Sequence, residues 1–384
     1  MGSQFWPKTG SPGILHHFTE TLVTFEFTPS PSPTHRTPHS ILFLGGLGDG
    51  LATTSYVSSL IPALASTPWS LFTLTLTSSY SAWGFGHLDR DTDEIAACIR
   101  HIQAYKRAKY NLSPGSNATT AGGSGEGGEG EGEEGKIVVM GHSTGSQCVL
   151  HYLSRPNPHT SHSPWDRDLE HIRRPVLDGA IMQAPVSDRE AIKLIMRDGF
   201  LGRTPAQLKE TYDTLVRMAR EQLDRDRDGN LDGEEEVCDE MLPVRLTAQF
   251  GYPRNTPVSC RRFWSLVSPE SPGKPAEDDM FSSDLGDGAL AETFGRVGER
   301  GLVRGKLMVL MSGADQAVPE WVDKEGLLER WRKVTDREGE IWDRERSGLI
   351  PGASHALSND DQAEPRAFLA KRVLSFLEEV QTRK

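Results

Sequence analysis

Short apolar runs alternate with segments of helical periodicity along most of this chain, and this alternation constrains the fold more than any other feature. The runs include ILFLGG, KIVVM, GAIMQAP and KLMVLMSG, and an earlier stretch, HHFTETLVTFEF, also predicts a strand. Strands that are apolar on both faces are typical of parallel sheets, because the connecting helices cover each face. The sequence therefore predicts an α/β fold with a doubly wound, mostly parallel sheet.

Two segments interrupt this alternation. Residues 111–135 are mostly Gly, Glu and Ser, and such a segment cannot bury enough apolar surface to offset its chain entropy, so we expect a disordered loop. Residues 191–300 begin with helical periodicity and continue as an irregular stretch rich in Pro, Arg and aromatic residues, which predicts an inserted helical cap. One domain then spans residues 1–384, with its core at about 14–110, 136–190 and 301–384.

The charge balance excludes some classes of partner. The chain has 384 residues, with 42 Lys and Arg against 54 Asp and Glu, which gives a net charge of −12. Nucleic-acid binding relies on basic patches that neutralise phosphates, so we expect no such partner. We also expect no membrane span, because no window approaches the roughly 18 consecutive apolar residues that a spanning helix needs.

Targeting and cysteine signals favour a reduced compartment. The N-terminus lacks the basic and apolar regions of a secretory signal. The 4 cysteines are scattered and form no CxxC pair, which does not fit a disulfide scaffold. We therefore expect a cytoplasmic protein.

Residues 141–145, GHSTG, match the pattern G-x-S-x-G between the apolar run KIVVM and the helical pattern SQCVLHYL. In this motif the serine lies on a sharp turn from strand to helix, where side chains at the glycine positions would clash. The turn exposes the serine hydroxyl at the carboxyl end of the sheet. The sequence therefore predicts Ser143 as a nucleophile.

A serine hydroxyl becomes a good nucleophile only when a base removes its proton and an acid orients that base. In this arrangement the partners follow the nucleophile in the order acid, then histidine. Of the 12 histidines, only His355 lies beyond His171, in a loop between the last predicted strand and the terminal helix. We predict His355 as the base.

The acid should follow the penultimate strand directly. Asp315 does so in KLMVLMSGADQAVPE, in a turn that begins at Gly313 and ends at Pro319. We therefore predict Asp315 as the acid. The alternative acids that remain are Asp287, Asp323, Asp360 and Asp361.

Acyl transfer also needs hydrogen-bond donors for the oxyanion. One donor is normally the backbone N–H after the nucleophile, which belongs here to Thr144. The other comes from a loop after an early strand, and ILFLGGLGDG fits because glycines let the backbone approach a substrate closely. By position we favour the amide of Leu47, with Gly48 as the second choice. A phosphate-binding loop is the rival interpretation, but the Gly-Lys-Ser/Thr ending is missing.

The pattern of Ser143, Asp315, His355 and the upstream glycine loop resembles the α/β-hydrolase superfamily. The motifs LVTFEF, VVMGHSTGSQ, GAIMQAPVSDRE and MSGADQAVPE are similar to a fungal and plant branch of it that includes the intracellular fusarinine-type siderophore esterases. The resemblance covers most of the chain apart from the N-terminal tail and residues 111–135. It implies a serine esterase whose small-molecule substrate is a hydroxamate siderophore ester, ferric or iron-free, hydrolysed to release iron.

Other functions remain open at this point. The same residues serve a general carboxylesterase or an acyltransferase with an unknown small-molecule substrate. A non-catalytic ligand-binding protein with the hydrolase fold is a further alternative, although such proteins often lack members of the triad. We assign no cofactor and no metal ligand to the catalytic site.

The segment Asp224–Glu235 matches the ligand spacing of a calcium-binding EF-hand loop. A bound calcium ion would brace the cap, or make the chain a calcium-responsive regulatory protein, but the segment lacks a second loop to pair with. An acidic surface turn is the alternative interpretation.

The cap also holds a basic and aromatic stretch over residues 245–264, which favours either a polar or anionic ligand or a helix packed on the core.

Overall fold

The structure is a computed structural model that describes residues 5–28, 35–112, 135–159, 171–228 and 240–383. Residues 113–134 of the predicted disordered loop lie outside this part of the chain. Residues 229–235 of the EF-hand-like segment lie outside it as well. Disorder and calcium binding therefore stay predictions.

The described residues form one large sheet and one short ribbon. The sheet has 8 strands in the order β1-β2-β4-β3-β5-β6-β9-β10, and β4 to β10 run parallel in it. Its strands are β1 (Gly13–His17), β2 (Val23–Phe27), β3 (His39–Leu44), β4 (Trp69–Thr75), β5 (Ile137–His142), β6 (Gly179–Gln183), β9 (Leu307–Ser312) and β10 (Gly348–Ile350). The ribbon pairs β7 (Met241–Leu242) with β8 (Val258–Ser259). The predicted doubly wound sheet is confirmed.

The helices divide into two groups. Those that pack on the sheet include α1 (Val57–Leu64), α2 (Leu88–Tyr110), α3 (Thr144–Ser154), α10 (Lys324–Thr335) and α11 (Ala363–Thr382). Those between β6 and β9 are α4 (Asp188–Asp198), α5 (Pro205–Asp228), α6 (Val244–Thr247), α7 (Cys260–Val267), α8 (Asp287–Glu292) and α9 (Arg296–Arg300). None of the described helices combines the length and apolarity needed to cross a bilayer.

The early strand prediction was wrong in one respect. Residues 16–27 were expected to form one strand, but β1 and β2 pair antiparallel and residues 18–22 turn between them. The Thr19 hydroxyl accepts a hydrogen bond from the Leu22 N–H at 2.9 Å and closes this turn. A threonine that bonds to nearby backbone favours a turn over a continuous strand.

Alternate residues of β3 face opposite sides of the sheet, as strand geometry requires. Ile41 and Phe43 join a buried cluster with α1 and α11, whereas Leu42 and Leu44 join one with α2 and α3. Every residue of β3 is buried. Helices on both faces thus explain why the strands read as continuous apolar runs.

The interval 191–300, predicted as one cap, contains two kinds of packing. Side chains of α4, α5 and α7 form a separate buried cluster, which also includes Trp83 from a 3₁₀ turn at Tyr80–Phe85. Leu290 of α8 and Val297 of α9 instead belong to the cluster that α2 and α3 form with the sheet. The helices α4–α7 therefore pack around a buried cluster of their own, whereas α8 and α9 pack with the sheet.

Candidate active site

Ser143 lies in the turn between β5 and α3, with a φ of +52° that non-glycine residues rarely adopt. A Cβ on Gly141 would lie 2.1 Å from the Gly145 carbonyl oxygen, and one on Gly145 would lie 2.5 Å from that of Leu44. Both positions therefore require glycine. The tight turn directs the Ser143 side chain away from α3, whose first N–H groups it leaves uncapped.

The structure brings Ser143, His355 and Asp315 into one hydrogen-bonded chain. Nε2 of His355 lies 2.9 Å from Oγ of Ser143, and Nδ1 of His355 lies 2.8 Å from Oδ2 of Asp315. Both distances are in the ordinary hydrogen-bond range. The side chain of Asp315 is 1% exposed and that of His355 is 18% exposed, so the carboxylate is shielded from solvent while the imidazole is partly accessible.

Asp315 and His355 are held by contacts between their own loops. The Ala317 N–H donates to Oδ1 of Asp315 at 2.9 Å, and the His355 N–H donates to Oε1 of Gln316 at 3.1 Å. The first bond fixes the carboxylate within the loop after β9, and the second joins this loop to the loop after β10. The carboxylate is thus oriented from one side by backbone and from the other by the imidazole.

The alternative acids occupy other places. Asp323 begins α10 and accepts a hydrogen bond from the Gly326 N–H at 3.0 Å, and Asp287 lies 3.5 Å from Arg330. Asp360 and Asp361 precede α11. Among the described residues, the carboxylate on the His355 ring is that of Asp315.

The amides predicted as oxyanion donors border one small cavity. Leu47 and Thr144 line this space of about 30 Å³ together with Trp83 and Arg262. Within the described part of the chain, neither the Leu47 N–H nor the Thr144 N–H makes a hydrogen bond. Gly48, the second choice, does not line the cavity. The arrangement therefore favours Leu47, and its role as a donor stays a prediction.

Asp49 holds the glycine loop that carries Leu47. Its carboxylate accepts hydrogen bonds from the Gly46 N–H at 2.9 Å and from the hydroxyls of Thr53 at 2.7 Å and Thr54 at 2.9 Å. The sequence analysis missed this role. The available signal was an aspartate among glycines followed by two threonines, because aspartate often bonds to nearby backbone in turns.

Polar side chains at the ends of neighbouring strands support the nucleophile from behind. Nδ1 of His142 lies 2.5 Å from Oε1 of Gln183, whose amide nitrogen donates to Oγ of Ser312 at 3.2 Å. The Gln183 carbonyl accepts the Ser143 N–H at 3.0 Å. Sequence reasoning also missed these residues, although polar residues that end buried strands were a usable signal.

The imidazole of His142 stays neutral beside the base. Its ring centroid lies 5.0 Å from that of His355. Burial, with a smaller contribution from the charge of His355, lowers the pKa of His142 to about 4. A positive charge that forms on His355 therefore meets no second positive charge from His142 near neutral pH.

A buried ion pair joins the cap to α3. Nη1 of Arg262 lies 2.6 Å from Oδ2 of Asp278, and the amide nitrogen of Gln147 donates to the Asp278 carbonyl at 2.8 Å. Arg262 is thus engaged inside the protein, and Phe263 is buried in the cap cluster. Arg262 thus connects the cap to the core and Phe263 packs inside the cap, so packing accounts for these two members of the basic and aromatic stretch.

Two buried carboxyl groups near the Arg262–Asp278 ion pair have pKa values above their usual range. Burial raises the pKa of Asp91 to about 7 and that of Asp188 to about 6. Oδ1 of Asp91 accepts the Ser78 hydroxyl at 2.7 Å, and Oδ2 of Asp188 accepts the Gln147 amide at 3.1 Å.

A larger cavity, of about 730 Å³, lies away from these residues. Its lining includes Ser40 and Ile137, at the amino-terminal ends of β3 and β5, and none of Ser143, Asp315 and His355. The reactive groups lie instead at the carboxyl ends of the strands, where α/β sheets bind their ligands. We therefore describe the site at the carboxyl edge as the candidate active site.

Comparison with known proteins identifies the family of the chain. Residues 6–378 match the family described as "Protein of unknown function (DUF1749)". The chain belongs to this family. The chain is also similar to siderophore hydrolase EstB from Aspergillus fumigatus, a solved structure with 56% sequence identity and a TM-score of 0.81, and the match covers 98% of this chain and 100% of that one.

Two relatives are named as esterases. Fusarinine C esterase sidJ of Aspergillus fumigatus is 59% identical over 98% of this chain and 98% of its own length. Esterase AN6793 of Emericella nidulans is 43% identical over 98% of this chain and 94% of its own length. These similarities confirm the resemblance to the α/β-hydrolase superfamily and its branch of siderophore esterases, and they place the chain among ester hydrolases.

Proposed function

We propose that the chain hydrolyses the ester bonds of fusarinine-type hydroxamate siderophores, with Ser143 as the nucleophile. The observation that carries this proposal is the chain of hydrogen bonds from Ser143 through His355 to Asp315. The names of the similar proteins supply the substrate class. The reaction would take place in the cytoplasm and release the iron of a ferric siderophore.

The first half of the reaction forms an acyl-enzyme. With Nδ1–H donating to Asp315, Nε2 of His355 is free to accept the Ser143 proton as Oγ attacks the ester carbonyl. Asp315 holds the imidazole in this tautomer and stabilises the imidazolium. The protonated Nε2 then gives the proton to the leaving alcohol, and Ser143 keeps the acyl group.

The second half returns the free enzyme. Nε2 of His355 takes a proton from a water molecule, which attacks the acyl carbonyl, and the same proton then restores the Ser143 hydroxyl. In both halves the N–H groups of Leu47 and Thr144 donate to the oxyanion. Each such donor contributes about 2.7–4 kcal/mol to transition-state stabilisation in comparable enzymes.

Mass spectrometry of the products tests the proposal. We would incubate the protein with ferric and iron-free fusarinine-type esters and, separately, with a generic short-chain ester. Ser143→Ala removes the nucleophile, and Ser66→Ala is the matched control because Ser66 is an exposed serine away from the site. We expect linear hydroxamate units from the wild type and from Ser66→Ala, and none from Ser143→Ala.

The other outcomes separate the parts of the proposal. Cleavage of the generic ester alone would contradict the substrate and keep the nucleophile. Undiminished siderophore cleavage by a folded Ser143→Ala variant would contradict the nucleophile and keep the substrate.

A further inference from the structure

A second group of chemically reactive side chains lies at the far end of α3 from Ser143. Asp89 is in the first turn of α2, His151 is in the last turn of α3, and His159 is in the segment that follows α3. All three are buried, with exposed fractions of 3%, 1% and 6%. One ligand atom from each lies within 4.8 Å of the others. The proposed mechanism uses none of them.

The contacts in this group are centred on Asp89 and His151. Oδ1 of Asp89 lies 2.7 Å from Nε2 of His151 and 3.2 Å from Nδ1 of His159. Oε1 of Glu277 lies 3.6 Å from the same Nε2 of His151. Zinc bonds of about 2.0–2.2 Å place neighbouring ligand atoms of a tetrahedron roughly 3.3–3.6 Å apart. The spacing of Asp89, His151 and His159 approaches that of three ligands around one ion, and Glu277 lies beside them.

Hydrogen bonding alone explains only part of the group. His151 and Asp89 make a good hydrogen bond, but the 3.6 Å separation of Glu277 from His151 is too long for one. Nε2 of His159 is buried and has no partner among the described residues. Burying an unpaired ring nitrogen costs free energy, so hydrogen bonds among these residues do not account for the whole arrangement.

We propose that Asp89, His151 and His159 bind a structural divalent transition-metal ion, with zinc as the best match, and that the neighbouring Glu277 carboxylate turns towards the ion as its fourth ligand. Two imidazoles and two carboxylates are a donor set that zinc accepts in tetrahedral geometry, whereas calcium and magnesium prefer oxygen ligands alone. No residue of the group belongs to the proposed catalytic chain, so the ion has no part in the reaction.

The role of the ion follows from the segments that it joins. It links the start of α2, the end of α3, the segment after α3 and the loop between α7 and α8. Glu277 is the neighbour of Asp278, which pairs with Arg262 of the cap. His151 is eight residues from Ser143, about 12 Å along the helix. The ion therefore fastens the cap to α3 at a distance from the reacting atoms.

The test is a measurement of metal content on untagged, full-length protein loaded with zinc chloride and then desalted. Inductively coupled plasma mass spectrometry should find one zinc ion per chain in the wild type. His159→Ala should reduce zinc affinity by more than the roughly 10- to 100-fold that loss of an outer partner costs. His17→Ala removes an exposed histidine outside the group and should retain the ion.

Two further readouts keep the test decisive if His159→Ala does not fold. Cobalt bound to the wild type should give the intense visible absorption of tetrahedral coordination, and zinc should displace it. Zinc should also raise the melting temperature of the wild type and His17→Ala but not that of Glu277→Gln, because a ligand stabilises only the state that binds it.

The contrary outcomes are equally clear. A wild type that holds no zinc after desalting, or a His159→Ala variant that holds as much as the wild type, would overturn the proposal. Loss of zinc from His17→Ala would assign the binding to the exposed surface and would overturn it too.

Discussion

A histidine–aspartate pair lies beside each end of helix α3, and the two pairs have nearly the same separation between nitrogen and oxygen. His355 and Asp315 are 2.8 Å apart at the end that begins with Ser143, and His151 and Asp89 are 2.7 Å apart at the other. The His355 side chain is 18% exposed and its second nitrogen meets a hydroxyl, whereas His151 is 1% exposed and meets another carboxylate. The third partner and the access to solvent, and not the pair itself, distinguish the proposed base His355 from the proposed metal ligand His151.

The largest expected effect comes from replacing the aspartate in each pair. Asp315→Asn should lower kcat by about 10⁴-fold, because the imidazole would adopt the wrong tautomer for accepting the Ser143 proton. Asp89→Asn makes the same change at the other end and should leave kcat unchanged. Steady-state kinetics on a siderophore ester measure both. Equal losses of kcat in Asp315→Asn and Asp89→Asn would contradict the different roles that we propose for the two pairs.

The neutral His142 predicts a pH dependence of stability at the catalytic end. Its pKa is lowered to about 4 in the folded chain from an ordinary value of 6.5, so the unfolded chain binds the proton more tightly. The neutral His142 therefore makes its full contribution to the free energy of unfolding above pH 6.5. As the pH falls towards 4, up to about 3 kcal/mol of that contribution is lost.

Urea unfolding at a series of pH values measures this dependence. The free energy of unfolding of His142→Asn should fall less than that of the wild type between pH 6.5 and 4. The control His17→Asn, which changes an exposed histidine, should follow the wild type. Parallel curves for His142→Asn and the wild type would contradict the assignment of a neutral His142.

At the other end of α3 we expect an effect on stability and not on chemistry. Without bound metal, Asp89→Asn should lower the free energy of unfolding by about 2 kcal/mol, because a buried hydrogen bond to a charged group is weakened. Urea unfolding in the presence of a chelator measures the change. An unchanged stability would show that the His151–Asp89 contact contributes nothing to the fold.

A smaller effect is expected from the loop that carries Leu47. Asp49→Ala removes the acceptor of the Gly46 N–H and of two threonine hydroxyls, so the oxyanion donor should lose part of its orientation. We expect kcat to fall about tenfold, which corresponds to roughly 1.4 kcal/mol. Asp323→Ala, which removes a helix cap away from the site, is the matched control and should change stability but not kcat.

The sequence was sufficient to predict the sheet and to name three residues that the structure brings together, Ser143, Asp315 and His355; their catalytic roles stay predictions. Apolar runs indicate strands that are buried on both faces, and the G-x-S-x-G pattern indicates a turn that requires glycine at two positions. Chain order then left His355 as the one histidine beyond His171. These signals are local or depend on order alone, so no knowledge of tertiary packing was needed.

The residues that the sequence analysis missed depend on contacts between distant segments. Gln183 supports Ser143 only because β5 and β6 are neighbours in the sheet. Asp89 and His151 meet because α2 and α3 pack on the same face. The turn between β1 and β2 was missed for a different reason. A stretch rich in Thr and aromatic residues predicts one continuous strand, and the pattern does not show that a threonine side chain closes a turn within it.

The contact of Gly145 with the Leu44 carbonyl bears on how this scaffold can be engineered. Since no side chain fits at 2.5 Å, random mutagenesis around the nucleophile should yield mostly inactive clones. The helices α4–α7 have a buried cluster of their own, so they tolerate exchange more readily. A library aimed at new ester substrates would therefore place its diversity in α4–α7 and leave the nucleophile turn unchanged.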